Sequence, residues 1–426
     1  MSIVRSVLLL ALGAFLALSC TKSHVRVAAT GIEGVDNVIT QWNSVTQRVV
    51  RTLAIPNQIA GRVYTFVHLS QYLALQRVYE KKSFKSSHPE AAAHYAAHYV
   101  LSELFPWQQS TIFDGFIASK ISGLNLTEKE DVVAEKIGVY VAAKFLTSRT
   151  KDGSQRWAKF QPYPENGPTG KYQFTVNQTY ALYPQLATTQ PEVIKAAEDF
   201  DTLGGPPAIP SSKYNSDYQT AATVGNANSP LQKPSLKDTA RFWEDGGNTS
   251  GIVGHLFNVS VAVTGPNITV IETAKLFAKL SVSHFDGAIA GWYQKYKYLF
   301  WRPITALRQG DSAHDPLDTF DTYLRTPPHP EYPSTHSVNA GAWAAVLSKT
   351  LNISWSQKIP AFVVATEGYL LPNRTYTSLE EASTEVYLSR VYGGVHFPKA
   401  GSDGLHLGIN VGEYVYDHFE EVYGDL

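Results

Sequence analysis

Three short stretches in the last third of the chain concentrate cations and imidazoles. The first is Lys295-Tyr296-Lys297-Tyr298-Leu299-Phe300-Trp301-Arg302-Pro303. Lys295 and Arg302 are seven positions apart, close to two helical turns, so on one continuous helix both side chains leave the same face. Pro303 ends or bends that helix and holds Arg302 near its terminus. The second is Pro333-Ser334-Thr335-His336, preceded by Pro327-Pro328-His329-Pro330-Glu331-Tyr332. Pro-rich sequence is not helical, while Ala342 to Leu347 reads as a buried part of the helix that follows. Ser334 therefore sits where an N-cap belongs, and the free amides of Thr335 and His336 in the first turn make an anion site. The third is Ser389-Arg390-Val391-Tyr392-Gly393-Gly394-Val395-His396-Phe397, where the glycine pair breaks a helix just before His396. Each stretch alone is equally a surface face, an ordinary cap or a turn. Together they offer three cations, a hydroxyl, helix amides and two histidines. That set suits a tetrahedral oxyanion with a nucleophile or ligand and an acid–base group. Three positive charges also favour neutral imidazole at a neighbouring histidine.

The elements that must position these groups read as helices. From Val35 the apolar positions Val38, Ile39, Trp42, Val45, Val49, Val50 and Leu53 follow a 3.6-residue period that stops at Pro56. Further helices are predicted over 57–79, 89–104, 111–121 and from Thr127 to about Ser148, the last opened by a Thr127/Glu130 capping box. Residues 151–235 hold 10 of the 23 prolines and cannot form a regular helix or a central strand. They keep aromatics (Trp157, Phe160, Tyr163, Tyr172, Phe174), so they read as an ordered wrapping segment. Helical patterns resume near Leu236. Strand signals are weak throughout. The expected fold is all-α, with helical bundles and the anion site in the C-terminal one. The expected organisation is a signal peptide over 1–20, an N-terminal helical region over 21–150, the wrapping segment over 151–235 and a C-terminal domain over 236–426.

The order and spacing of the three stretches resemble the vanadium-dependent haloperoxidases and their relatives, the acid and lipid phosphatases. The family pattern is Lys, six residues, Arg-Pro; then Pro-Ser-Gly-His; then Ser-Arg, five residues, His. This chain is similar at Lys295, Arg302, Pro303, Pro333, Ser334, His336, Ser389, Arg390 and His396. The resemblance covers about residues 270–420 and implies a vanadate cofactor bonded through His396. It implies that Lys295, Arg302, Arg390, Ser334 and the backbone N–H of Thr335 hydrogen-bond the vanadate oxygens. His336 is then the acid–base group, and Lys295 acts on hydrogen peroxide as halide attacks it. Trp292 matches a pocket tryptophan of the peroxidases. His329 falls where chloroperoxidases carry Phe and bromoperoxidases carry His, which leans toward bromide or iodide. One departure is Thr335, where the family usually has Gly. A position needing positive φ would make Thr costly; the first residue of a helix would not.

The same cradle could hold phosphate, with His396 as nucleophile and His336 protonating the leaving group, as in an acid phosphatase. A third reading is an inactive, anion-binding glycoprotein. Asp286, Asp403 and Glu331 are candidates to orient catalytic groups, or plain acids. His68, His94 and His98 read as packed or surface histidines.

The rest of the composition narrows the class. With 36 basic and 37 acidic residues there is no basic excess for a nucleic-acid partner. One Cys, Cys20, excludes an intramolecular disulfide framework, a Cys-based zinc site and an iron–sulfur cluster. The one Met is Met1. Arg5, the apolar run Val7 to Leu18 and the small Ala17 and Ser19 read as a secretory signal too short to span a bilayer. Asn-x-Ser/Thr sequons at Asn125, Asn177, Asn248, Asn258, Asn267, Asn352 and Asn373 exceed chance and point to a glycosylated, exported protein. A chain almost free of sulfur would also survive hypohalous acid and peroxide, which attack Met and Cys first.

Overall fold

The structure is a computed structural model, and it describes residues 36–80, 87–160, 167–175, 178–244, 249–366 and 371–424. The leader with Cys20, Tyr163, and the sequons at Asn177 and Asn248 lie outside the described residues. The first five helices are α1 (Val38–Thr52), α2 (Asn57–Glu80), α3 (Pro89–Leu104), α4 (Asp114–Gly123) and α5 (Glu128–Ser148). They are followed by α6 (Ser212–Thr223), α7 (Pro234–Glu244), α8 (Thr249–Thr264), α9 (Val270–Tyr298) and α10 (Pro303–Gln309). The last three are α11 (Thr335–Leu351), α12 (Leu379–Tyr392) and α13 (Pro398–Tyr423). Among the described residues, the strands are two antiparallel pairs of two or three residues each: Lys159–Phe160 with Ala181–Leu182, and Phe362–Val364 with Arg374–Tyr376. The fold is all-α.

Local chemistry sets the helix starts. Asn37 accepts from the amides of Ile39 and Thr40 at 3.0 and 3.3 Å, opening α1. Thr127 with Glu130 and Thr269 with Glu272 form reciprocal capping boxes at α5 and α9. The apolar stripe of α1, from Val38 to Val50, is buried, and each large side chain so removed from water stabilises the fold by about 1.5–3 kcal/mol.

Helix α9 is the axis. The first bundle (α2, α3, α5) packs on it through α2, and the second (α11, α12, α13) through α11 and α13. Residues of both bundles and of α9 belong to one continuous core. Within the second bundle α11 and α13 meet backbone to backbone. A Cβ on Gly341 would lie 2.1 Å from the Leu405 carbonyl oxygen, and one on Gly408 would lie 2.0 Å from that of Val338. Only glycine allows such an approach.

The segment after α5 wraps α9, and a single acid clamps it. Asp286 accepts the amides of Glu192, Val193 and Ile194 at 2.7, 2.8 and 3.0 Å. Burial nevertheless pushes the Asp286 carboxyl up to about 6. Further on, Tyr172 N–H donates to Leu299 at 2.7 Å and Leu182 N–H to Pro328 at 2.8 Å. The expectation that 151–235 holds no regular helix is corrected by α6. That helix occupies a proline-free run between Pro210 and Pro230 and is capped by Ser211, so composition averaged over the segment hid it.

Candidate functional site

Helix α9 delivers the first side chains near its C-terminus. Trp292 and Lys295 are fully buried. The helix then ends at Tyr298, because Leu299 adopts a left-handed conformation (φ 52°). Arg302 is the N-cap of α10, with Pro303 in its first turn. The expectation that Lys295 and Arg302 share one helix is therefore corrected: a cap and a new helix lie between them. They are brought together through the loop before α11. Lys295 Nζ donates to the carbonyls of Pro330 and Glu331 at 3.1 and 3.0 Å, and to that of Pro333. An ammonium has three protons, so all three are engaged. Arg302 Nε donates to the His329 carbonyl at 2.9 Å and Nη1 to that of Val395 at 2.7 Å. Its Nη2 lies 3.0 Å from His329 Nδ1, and its Nη1 lies 3.1 Å from His396 Nε2.

Helix α11 supplies the amide end. Ser334 is its N-cap but makes no side-chain cap bond, and Thr335 is its first residue. Thr335 is not among the residues with positive φ, so a β-branched side chain is tolerated there. The buried Ser334 Oγ and His336 Nε2 have no hydrogen-bond partner among the described residues. Arg390, in the last turn of α12, is buried, and its Nε and Nη1 likewise have none. Gly394, at φ 74°, then turns the chain to His396.

The acid behind His396 is Glu331. Its Oε1 lies 2.9 Å from His396 Nδ1 and accepts the Phe397 N–H at 2.9 Å. The three acids left undecided by sequence separate cleanly. Asp286 clamps the wrapping segment. Asp403 accepts the Tyr332 hydroxyl at 2.6 Å and Lys399 Nζ. Glu331 alone of the three touches a motif histidine. Its signal in the sequence was an acid inside a proline-rich loop, three residues before Ser334.

Burial dominates the electrostatics. It pushes Lys295 well below its ordinary value, reinforced by Arg302. Arg302 and Arg390 are each pushed down to about 10. Burial, and then the cations, hold His329, His336 and His396 well below the usual imidazole range, so all three are neutral at pH 7. Glu331 is pushed up to about 8 by burial, against the pull of Arg302. Trp292 stands 5.0 Å from His329, ring to ring, and 5.7 Å from Lys295 Nζ.

A buried cation without a partner is costly, as is a buried hydroxyl. Here Ser334 Oγ and Arg390 Nε and Nη1, which have no hydrogen-bond partner among the described residues, accompany the amide end of α11 and a neutral imidazole. The donor set fits a multiply charged tetrahedral oxyanion such as vanadate.

The pattern of the VCPO second helical-bundle domain matches residues 275–425. A vanadium chloroperoxidase of Curvularia inaequalis is 28% identical over 212 residues, which is 42% of this chain and 34% of that protein. The chain therefore matches about a third of that relative's length. Two solved structures share the fold. A bacterial vanadium-dependent iodoperoxidase superposes with a TM-score of 0.74 at 22% identity, covering 89% of this chain and 95% of that one. A bacterial vanadium-dependent chloroperoxidase gives 0.68 at 18% identity, covering 92% and 98%. Residues 275–425 thus match the VCPO second helical-bundle domain, and the chain as a whole shares its all-α fold with solved vanadium-dependent haloperoxidases.

Proposed function

We propose that this protein is a vanadate-dependent haloperoxidase that oxidises halide with hydrogen peroxide. One observation carries the reading: His396 Nε2 faces Arg302 at 3.1 Å, in a site that also holds buried, unpartnered donors on Ser334 and Arg390. The residues that would hold vanadate are His396 through Nε2, with Lys295, Arg302, Arg390, Ser334 and the Thr335 amide around it. When bound, vanadate supplies a Lewis acid that activates peroxide toward halide. His336, neutral and unpartnered at Nε2, accepts the peroxide proton there. Lys295 is tied to three carbonyls and acts through its charge. Trp292 and His329 line the wall. His329 in place of Phe favours bromide or iodide.

The catalytic unit in this reading is 236–426, following an N-terminal region over 21–150 and the wrapping segment over 151–235. Export and N-glycosylation complete the proposal. Asn125, Asn267, Asn352 and Asn373 are exposed in turns or loops. Asn258 lies within α8 and accepts from Asn43 at 3.0 Å, which makes it the poorest acceptor of the five described sequons. Among the described residues, no helix is long and apolar enough to cross a membrane.

The test is one purified sample assayed with and without orthovanadate, for bromination of a dye and for hydrolysis of a chromogenic phosphate ester. Bromination that requires vanadate and disappears in His396→Ala is the expected result. Equal halogenation by His396→Ala with added vanadate overturns it, as does ester hydrolysis without bromination.

A further inference from the structure

We infer that Glu331 is the positioning residue that places the proton of His396 on Nδ1 and so leaves Nε2 as a ligand atom. The inference rests on reading His396 as the vanadate ligand. A guanidinium can only donate hydrogen bonds. Arg302 Nη1 stands 3.1 Å from His396 Nε2, so Nε2 must accept. Nδ1 then carries the ring proton and donates it to Glu331 Oε1 at 2.9 Å.

The same oxygen accepts the Phe397 N–H, one residue along the chain. Glu331 thus grips both the imidazole and the backbone leaving it, which fixes the ring plane from two sides. Its own backbone is held equally firmly. Glu331 N–H donates to the Phe300 carbonyl at 3.0 Å, and its carbonyl accepts Lys295 Nζ at 3.0 Å. One fully buried residue therefore ties Lys295 and Phe300 of the first stretch to His396 and Phe397 of the third. A carboxyl oxygen behind a ligating imidazole sets its tautomer and ring orientation, and losing such a partner costs about 10–100-fold in affinity.

The experiment is nitrogen-15 NMR of the imidazoles in the vanadate-free protein, joined to orthovanadate titration of wild type, Glu331→Ala and Glu331→Gln. Wild-type His396 is expected as a single Nδ1–H tautomer. Glu331→Ala should lose that single tautomer and bind orthovanadate about 10–100-fold more weakly. Glu331→Gln, which keeps an acceptor oxygen, should restore the tautomer and most of the affinity. An alanine variant with the wild-type tautomer and affinity overturns the inference. If that variant does not fold, the wild-type spectrum decides: an Nε2–H tautomer at His396 overturns it. Wild type that binds no orthovanadate sinks the proposed function instead, while the tautomer measurement still decides the role of Glu331.

Discussion

Arg302 places three nitrogens on four acceptors: the carbonyls of His329 and Val395, His329 Nδ1 and His396 Nε2. The His396 contact joins the second motif cation directly to the last motif histidine. A lysine ammonium is a point charge and cannot reproduce the fork. Arg302→Lys should therefore leave at least one buried carbonyl without a donor, costing about 1–3 kcal/mol for each. The expected outcome is a lower melting temperature together with weaker orthovanadate binding, both read on the purified variant.

Ser334 should behave in the opposite way. Its Oγ is buried with no partner among the described residues and does not cap α11. Removing an unsatisfied hydroxyl relieves a desolvation cost. Ser334→Ala is expected to melt at or above the wild-type temperature while binding orthovanadate more weakly. A fall in both would mean that the hydroxyl serves the fold.

His68 makes stability depend on acid. It is buried among Tyr64, Phe257 and Phe277, neither ring nitrogen has a partner among the described residues, and burial pushes its pKa down to about 3. An unfolded histidine titrates near 6.5. Between about 6.5 and 3 the unfolded chain binds the proton and the folded chain does not, so folding stability falls as pH falls through that window. Two pH units below 6.5 the loss is about 2–3 kcal/mol. The stability of His68→Leu relative to wild type should rise by about 2–3 kcal/mol between pH 7 and pH 4.5, as measured by denaturant melts at both.

Glycine at the α11–α13 seam gives a prediction about shape. A Cβ on Gly404 would come 2.5 Å from the Ser334 carbonyl oxygen, and one on Gly412 would come 2.8 Å from that of Ala342. Either alanine should destabilise by about 1–3 kcal/mol through overpacking. Gly404→Ala should also weaken orthovanadate binding, because it displaces the N-cap residue. Gly412→Ala, two turns further along, should not.

Residues 36–424 contain neither Met nor Cys. After exposure to peroxide or hypobromite at levels that form methionine sulfoxide elsewhere, this span should show no sulfur-borne oxygen by peptide mass mapping. Retained bromination activity after the same treatment is the companion result.

Much of the fold was legible where a local rule decides a boundary. Pro56 and Pro106 mark stops, and Thr127/Glu130 marks a start. Of the groups the motif spacing singled out, Lys295, Arg302 and His396 meet around the loop before α11. What sequence did not reveal depends on non-local or atypical backbone. Leu299 takes a left-handed cap without being glycine, so the break between Lys295 and Arg302 was hidden behind a helical spacing. The α6 helix was masked by the prolines on either side of it. Glu331, Asp286 and Asp403 look alike as acids near the motifs; only tertiary packing assigns one to an imidazole, one to three amides and one to a tyrosine and a lysine.

The glycine seam has a mechanical consequence for the cradle. Helices separated by side chains can yield by changing rotamers, but two backbones already in contact cannot. Ser334, at the N-cap position of α11, and His396, two residues ahead of α13, therefore sit at the ends of two helices in direct backbone contact. Ser334 N–H donates to the Ala400 carbonyl at 2.9 Å, which fastens the near end of that contact. The distance between the amide end of α11 and His396 is thus set by backbone contact between α11 and α13 rather than by side-chain packing.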